Sequence, residues 1–91
     1  MMCSPRGQGS RMFRDPEWRG LVMELGLSKR QEEIVRRVFD DLSEAAIAHD
    51  LGLAPPTVHT YLRRLYRKLR VKSRGQLLTF IFREFLRNVE R

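Results

Sequence analysis

At 91 residues the chain has room for one modest hydrophobic core and a tail, which excludes a second folded domain. Hydrophobic residues make up 42% and charged residues 32%, the balance of an ordinary globular chain rather than a disordered or fibrous one. The formal net charge of +7 is carried by the second half: residues 1–50 hold eight Lys/Arg against nine Asp/Glu, and residues 51–91 hold ten against two.

Residues 1–14 contain Ser4, Pro5, Gly7, Gly9 and Ser10 without a hydrophobic period and read as a flexible tail. The start lacks the apolar stretch of a signal peptide, and no apolar run approaches the roughly 18 residues of a membrane span. The single cysteine, Cys3, has no internal partner for a disulfide, and together these features predict a cytoplasmic protein with no membrane contact. From Asp15 the pattern becomes helical. Asp15 suits an N-cap and Pro16 the first turn, and Trp18, Leu21, Val22 and Leu25 recur at helical spacing before Gly26 stops the run. This amphipathic helix over 15–26 covers either the domain core or a partner chain.

Ser28 with Gln31 three residues later forms a capping-box pattern, and the helix it opens carries Ile34, Val35, Val38, Phe39 and Leu42 toward Asp40 and Asp41. A shorter helix follows from Ser43, with Glu44 complementing the helix dipole and Ile47, Ala48 and Leu51 as its apolar stripe. Gly52 and Leu53 make a tight turn. Pro55 then starts a long helix reaching about Leu69, with Val58, Leu62, Leu65 and Leu69 inward, Tyr61 and Tyr66 flanking, and His59, Thr60, Arg63, Arg67 and Arg70 outward. No acidic residue stands between Asp50 and Glu84, while Arg63, Arg64, Arg67, Lys68, Arg70, Lys72 and Arg74 crowd into twelve positions. A field of one sign over half a small domain favours a polyanion such as nucleic acid; as a solvated face without a partner it only repels itself.

The last helix begins after a Ser73 cap and carries Leu77, Leu78, Phe80, Ile81, Phe82, Phe85, Leu86 and Val89, eight apolar residues in thirteen. One core-facing stripe needs three to four positions per two turns, so other groups must bury the rest: the Trp18 helix or a second copy of the chain.

A two-turn helix, a glycine turn and a longer helix with basic residues outward meet the requirements of a helix-turn-helix, in which the first helix braces across the phosphate backbone and the second enters the major groove. At this point the chain resembles the LuxR/FixJ (GerE-like) family of bacterial regulators through LSKRQEEIV (27–35), LSEAAIAHDLGL (42–53), TVHTYLRRLYRKL (57–69) and VKSRGQL (71–77). The resemblance implies an all-α fold: a four-helix helix-turn-helix domain over 27–89, preceded here by a short extra N-terminal helix. It implies sequence-specific binding of double-stranded DNA, transcription regulation, and pairing as a homodimer through the last helix. It also places base reading on His59, Thr60 and Arg63. The chemistry agrees in different degrees: Arg63 suits guanine O6 and N7, whereas Thr60 and His59 serve either a base edge or a phosphate. Arg64, Arg67, Lys68, Lys72 and Arg74 read as phosphate neutralisers, with Thr57, Tyr61 and Ser73 as neutral donors, or singly as exposed charges. Phe80, Phe82, Leu86 and Trp18 are the expected dimer contacts.

Three positions depart from the family. Glycine is common where Asp41 and Arg70 stand, and a hydroxyl residue where Ala54 stands; a left-handed Arg70 is strained by about 1 kcal/mol, and the missing cap at Ala54 costs roughly as much. Family members often carry a sensing domain ahead of this one, for which the 26 residues before Leu27 leave no room. Two other readings remain: an interaction protein that pairs with and modulates a full-length relative, and a sigma-factor region-four module. An enzyme is not expected. His49 and His59 are the only histidines, no H-x-E, C-x-x-C or G-x-x-x-x-G-K-[ST] run offers a metal or phosphate site, and Asp40, Asp41 and Glu44 fit a helix end and a helix start. No cofactor, metal or small-molecule substrate is implied.

Overall fold

The computed structural model describes residues 9–89, so the tail reading of residues 1–8, Cys3 included, and the side chain of Val89 lie outside the described residues. Five α-helices and no strand occur among them: α1 (Asp15–Leu25), α2 (Lys29–Phe39), α3 (Glu44–Leu51), α4 (Pro55–Leu69) and α5 (Arg74–Val89).

Helix starts follow local chemistry. Ser28 Oγ accepts from Gln31 N–H at 3.1 Å while the Gln31 side chain accepts from Ser28 N–H at 2.8 Å, a complete capping box. Ser43 Oγ accepts from Ala46 N–H at 3.1 Å, and Ser73 Oγ from Gln76 N–H at 3.2 Å. At α4 the Ala54 cap offers no side-chain acceptor, and Pro55 and Pro56 preset the first turn instead. The cap of α1 is Arg14 rather than Asp15, because Glu17 lies three residues after Arg14 and accepts its backbone N–H at 2.7 Å.

The first four helices end alike, and these endings fold the chain. In each, one residue turns left-handed: Gly26 (φ 64°), Asp41 (62°), Gly52 (69°) and Arg70 (59°). The next residue donates its N–H back across the turn, Leu27 to Val22 O, Leu42 to Arg37 O, Leu53 to Ala48 O and Val71 to Tyr66 O, at 2.8 to 3.1 Å. This Schellman arrangement satisfies orphan carbonyls and drops an apolar residue onto the core at every corner. Leu27 is buried there, and Leu42, Leu53 and Val71 partly so.

One core cluster joins Ile34, Val35 and Val38 of α2, Ile47 and Ala48 of α3, Val58, Leu62, Leu65 and Leu69 of α4, Leu77 and Ile81 of α5, and Trp18 and Leu21 of α1. The main pairings are α3 on α4 and α1 on α5.

Two expectations need correction. Residues 9–13, read as tail, are built into the domain: Gly9–Met12 form a 3-10 helix against α2, and Phe13 is 3% exposed. Asp40 Oδ1 accepts from Ser10 N–H, and Ser10 O accepts from Trp18 Nε1–H, both at 2.8 Å. A Cβ on Gly9 would stand 1.5 Å from Phe39 O, so only glycine fits this approach. A segment this short shows no period, which is why its polar composition concealed its packing.

Trp18, expected at a dimer interface, is 1% exposed within its own chain. Its ring meets Phe13 edge-on at 5.1 Å and Phe39 at 5.5 Å, and the Arg36 guanidinium covers it at 5.1 Å. Phe13 also takes up part of the apolar surplus of α5, stacking on Phe85 with centroids 4.3 Å apart. Phe80 is half-buried against the same core, which leaves Phe82 (38%) and Leu86 (48%) exposed on α5.

Candidate nucleic-acid interface

The helix α4 is amphipathic because Val58, Leu62, Leu65 and Leu69 repeat at three- and four-residue steps, and burying that stripe forces the opposite side outward. His59, Thr60 and Arg63 all emerge on this exposed side, together with Arg67, so the expected base-reading residues share one face. Two hollows flank it. His59, Arg63, Tyr66, Arg67, Val71 and Lys72 line one of about 470 Å³. Thr57, Thr60, Tyr61 and Arg64 line the other, of about 210 Å³.

The charges of the two halves are handled differently. On α2, Arg30 pairs with Glu33, Arg36 with Glu32 and Asp15, and Arg37 with Asp50. Arg63, Arg64, Arg67, Arg70 and Lys72 have neither an ion pair nor a hydrogen bond from their side chains to any of the described residues. A concentrated cationic face that the protein leaves uncompensated attracts anions and destabilises the domain by self-repulsion.

Two cations expected at phosphates also make hydrogen bonds inside the chain. Lys68 Nζ, opposite His59 around the helix, donates to Gly26 O and, at 3.2 Å, to Gln31 Oε1, tying α4 to the turn between α1 and α2. Arg74 donates to Leu42 O and holds the turn between α2 and α3. A linear sequence does not show which carbonyls a fold brings within reach of such cations. Ser73 Oγ accepts as the cap of α5 and keeps its proton to donate, while Thr57 stays exposed and Tyr61 half-exposed beside Arg64.

Two outer-face side chains have restricted chemistry. Thr60 Oγ donates to Pro56 O at 3.0 Å, which uses its proton and leaves a methyl and oxygen lone pairs to present. His59 Nδ1 lies 3.1 and 3.4 Å from the two carboxylate oxygens of Glu44, the first residue of α3. Sequence reasoning assigned Glu44 only to the α3 dipole. The contact spans fifteen positions and depends on the angle between α3 and α4, so no spacing rule signals it. Tyr66 lies close to the same group: burial pushes its hydroxyl above the ordinary pKa of 10.0, Arg74 opposes the shift and Glu44 adds to it.

Among the described residues no group of three or more His, Cys, Asp and Glu could hold a metal ion, and no helix is long and apolar enough to cross a membrane. Away from α4 in sequence, Met12, Phe39, Leu78, Thr79, Phe82, Arg83 and Leu86 line an open apolar groove of about 580 Å³.

Comparison with known proteins gives the same frame. The family of bacterial regulatory proteins described as the luxR family matches residues 25–81. The chain is 44% identical over 54 residues to a probable HTH-type transcriptional regulator, GfsR, of Streptomyces halstedii, covering 59% of this chain and 22% of that one. It is 40% identical over 60 residues to a probable transcriptional regulatory protein, NarL, of Mycobacterium tuberculosis, covering 66% and 28%. The transcriptional regulatory protein FixJ of Azorhizobium caulinodans is 32% identical over 53 residues, covering 58% and 25%. The chain therefore spans about a quarter of the length of these relatives. No solved structure matches.

Proposed function

The chain belongs to the luxR family of bacterial regulatory proteins, and from that premise we propose that it regulates transcription by binding specific sites on double-stranded DNA, with α4 in the major groove. The observation that carries this reading is the outer face of α4, where Arg63, Arg64 and Arg67 stand exposed without an acidic partner among the described residues, around His59 and Thr60. Arg63 reads guanine through its O6 and N7 acceptors, and the outward methyl of Thr60 suits the methyl of thymine. Arg64, Arg67, Arg70 and Lys72 neutralise phosphates, with Thr57 and Tyr61 donating beside them. A DNA partner places the protein in the cytoplasm.

The chain pairs as a homodimer through Phe82 and Leu86 on α5, whose exposed apolar surface is what a second copy would cover. That same surface would serve pairing with a longer relative, and a basic reading face retained on α4 favours a partner that also binds DNA. Nothing in the family match supports the sigma-factor reading.

Fluorescence anisotropy with a random duplex at two salt concentrations tests the electrostatic part. With four phosphates neutralised per protomer, affinity falls between 50 and 200 mM salt by about two decades for one chain and about four for the dimer. Binding insensitive to salt contradicts the reading.

A further inference from the structure

We propose that Glu44 is a positioning residue that sets the base preference of His59. The inference rests on the proposed DNA-binding reading and on His59 being a base-reading residue, as the family resemblance implies, and adds what makes its reading selective. Glu44 stands at the start of α3 and is 41% exposed, and His59, on the next helix, is 55% exposed. Both carboxylate oxygens approach Nδ1, at 3.1 and 3.4 Å, and Nε2 has no partner among the described residues.

An ionised carboxylate is an acceptor only, so the ring nitrogen facing it must carry a proton. A neutral imidazole has one N–H, and a proton held on Nδ1 leaves Nε2 as a bare acceptor. The carboxylate therefore fixes two properties together: the ring plane, through two oxygens straddling one nitrogen, and the tautomer. In the major groove an acceptor pairs with the amino groups of adenine N6 and cytosine N4, and it opposes guanine O6 and N7 and thymine O4. His59 held by Glu44 thus selects an amino-bearing base at one position of the site. This also accounts for a carboxylate beside a cationic DNA-facing surface, where repulsion from phosphates would otherwise weaken binding. The helix dipole at the start of α3 favours an acid in that turn, but it gives no reason for the reach across to α4.

The test uses the full chain at about pH 8.5, where an ordinary imidazole is neutral. Long-range nitrogen-proton NMR separates the tautomers, and with two histidines in the sequence the His59→Ala variant assigns the signals. The wild type should show the Nδ1–H form at His59. Glu44→Gln, whose amide can either accept from or donate to the ring, should show a mixture. In parallel, bound duplexes are selected from random DNA with the wild type, Glu44→Gln, His59→Ala and the double variant. One base position of each half-site should lose a preference of about tenfold in all three variants, with no further change in the double variant. A wild-type ring in the Nε2–H form overturns the proposal. So does a preference that His59→Ala abolishes and Glu44→Gln retains, or a Glu44→Gln loss of affinity equal for all sequences. If His59→Ala leaves the selected motif unchanged, or the wild type selects none, His59 is no base reader, and the proposal falls with that reading.

Discussion

Arg70 offers a clean test of how the fold is built, because it holds a left-handed backbone without any side-chain reward. Its φ of 59° and ψ of 41° close α4 and bring Val71 onto the core. A residue with a Cβ is strained there by about 1–2 kcal/mol. Glycine removes the strain and costs about 0.4–1 kcal/mol through the freer unfolded chain. The guanidinium makes no hydrogen bond or ion pair with the described residues, so nothing else is lost. Arg70→Gly should therefore stabilise the domain by roughly 0.5–1 kcal/mol, which at this size raises Tm by about 3–6 °C in a thermal melt followed by circular dichroism. Arg70→Ala is the control: it deletes the same charge and keeps the Cβ, so it should gain only the small relief of charge repulsion and melt clearly below the glycine variant. An alanine variant that gains as much as the glycine variant refutes the dihedral explanation and assigns the gain to relief of charge repulsion with Arg67 and Lys72. An unchanged melting point for Arg70→Gly refutes the strain itself. Affinity should move the other way in both variants, since a cation leaves the DNA-facing side.

Trp18→Ala removes a ring wedged between Phe13, Phe39 and Arg36, together with the hydrogen bond to Ser10 O, and should cost about 3–5 kcal/mol in urea denaturation. A loss below about 1 kcal/mol would mean that the tryptophan is not core. Gly9→Ala cannot be accommodated against Phe39 O, so the segment carrying Phe13 must shift, at about 1–3 kcal/mol; an unchanged melt contradicts its packed position. Leu86→Arg should leave the melting curve of a dilute sample near the wild type and abolish pairing in sedimentation, whereas a dimer that persists removes α5 as the interface. Arg63→Ala should relax base preference in site selection while Lys72→Ala weakens binding to all sequences alike, and the reverse pattern would exchange their roles.

Much of the fold is legible in the sequence because it is local. The capping box at Ser28 and Gln31, the Ser43 and Ser73 caps and the Pro55 start each depend on residues within three or four positions, and the structure places all of them as read. The outer face of α4 is legible for the same reason, since helical period alone sends His59, Thr60 and Arg63 to one side. What escaped is non-local. Phe13 lies in a stretch too short to show a period, yet it fills the centre of an aromatic cluster. Lys68 and Arg74 look like free charge until the turns at Gly26 and Leu42 bring carbonyls to them. Glu44 looks like a helix-dipole acid until the packing of α3 on α4 sets it against His59.

The central claim is that α4 reads a specific DNA sequence. Selection of bound duplexes from random DNA with the wild-type chain tests it most directly. The account predicts an enriched palindrome, its half-sites about one helical turn apart, with a guanine in each half that the Arg63→Ala variant no longer requires. A bound pool with no enriched sequence, however tightly held, contradicts it.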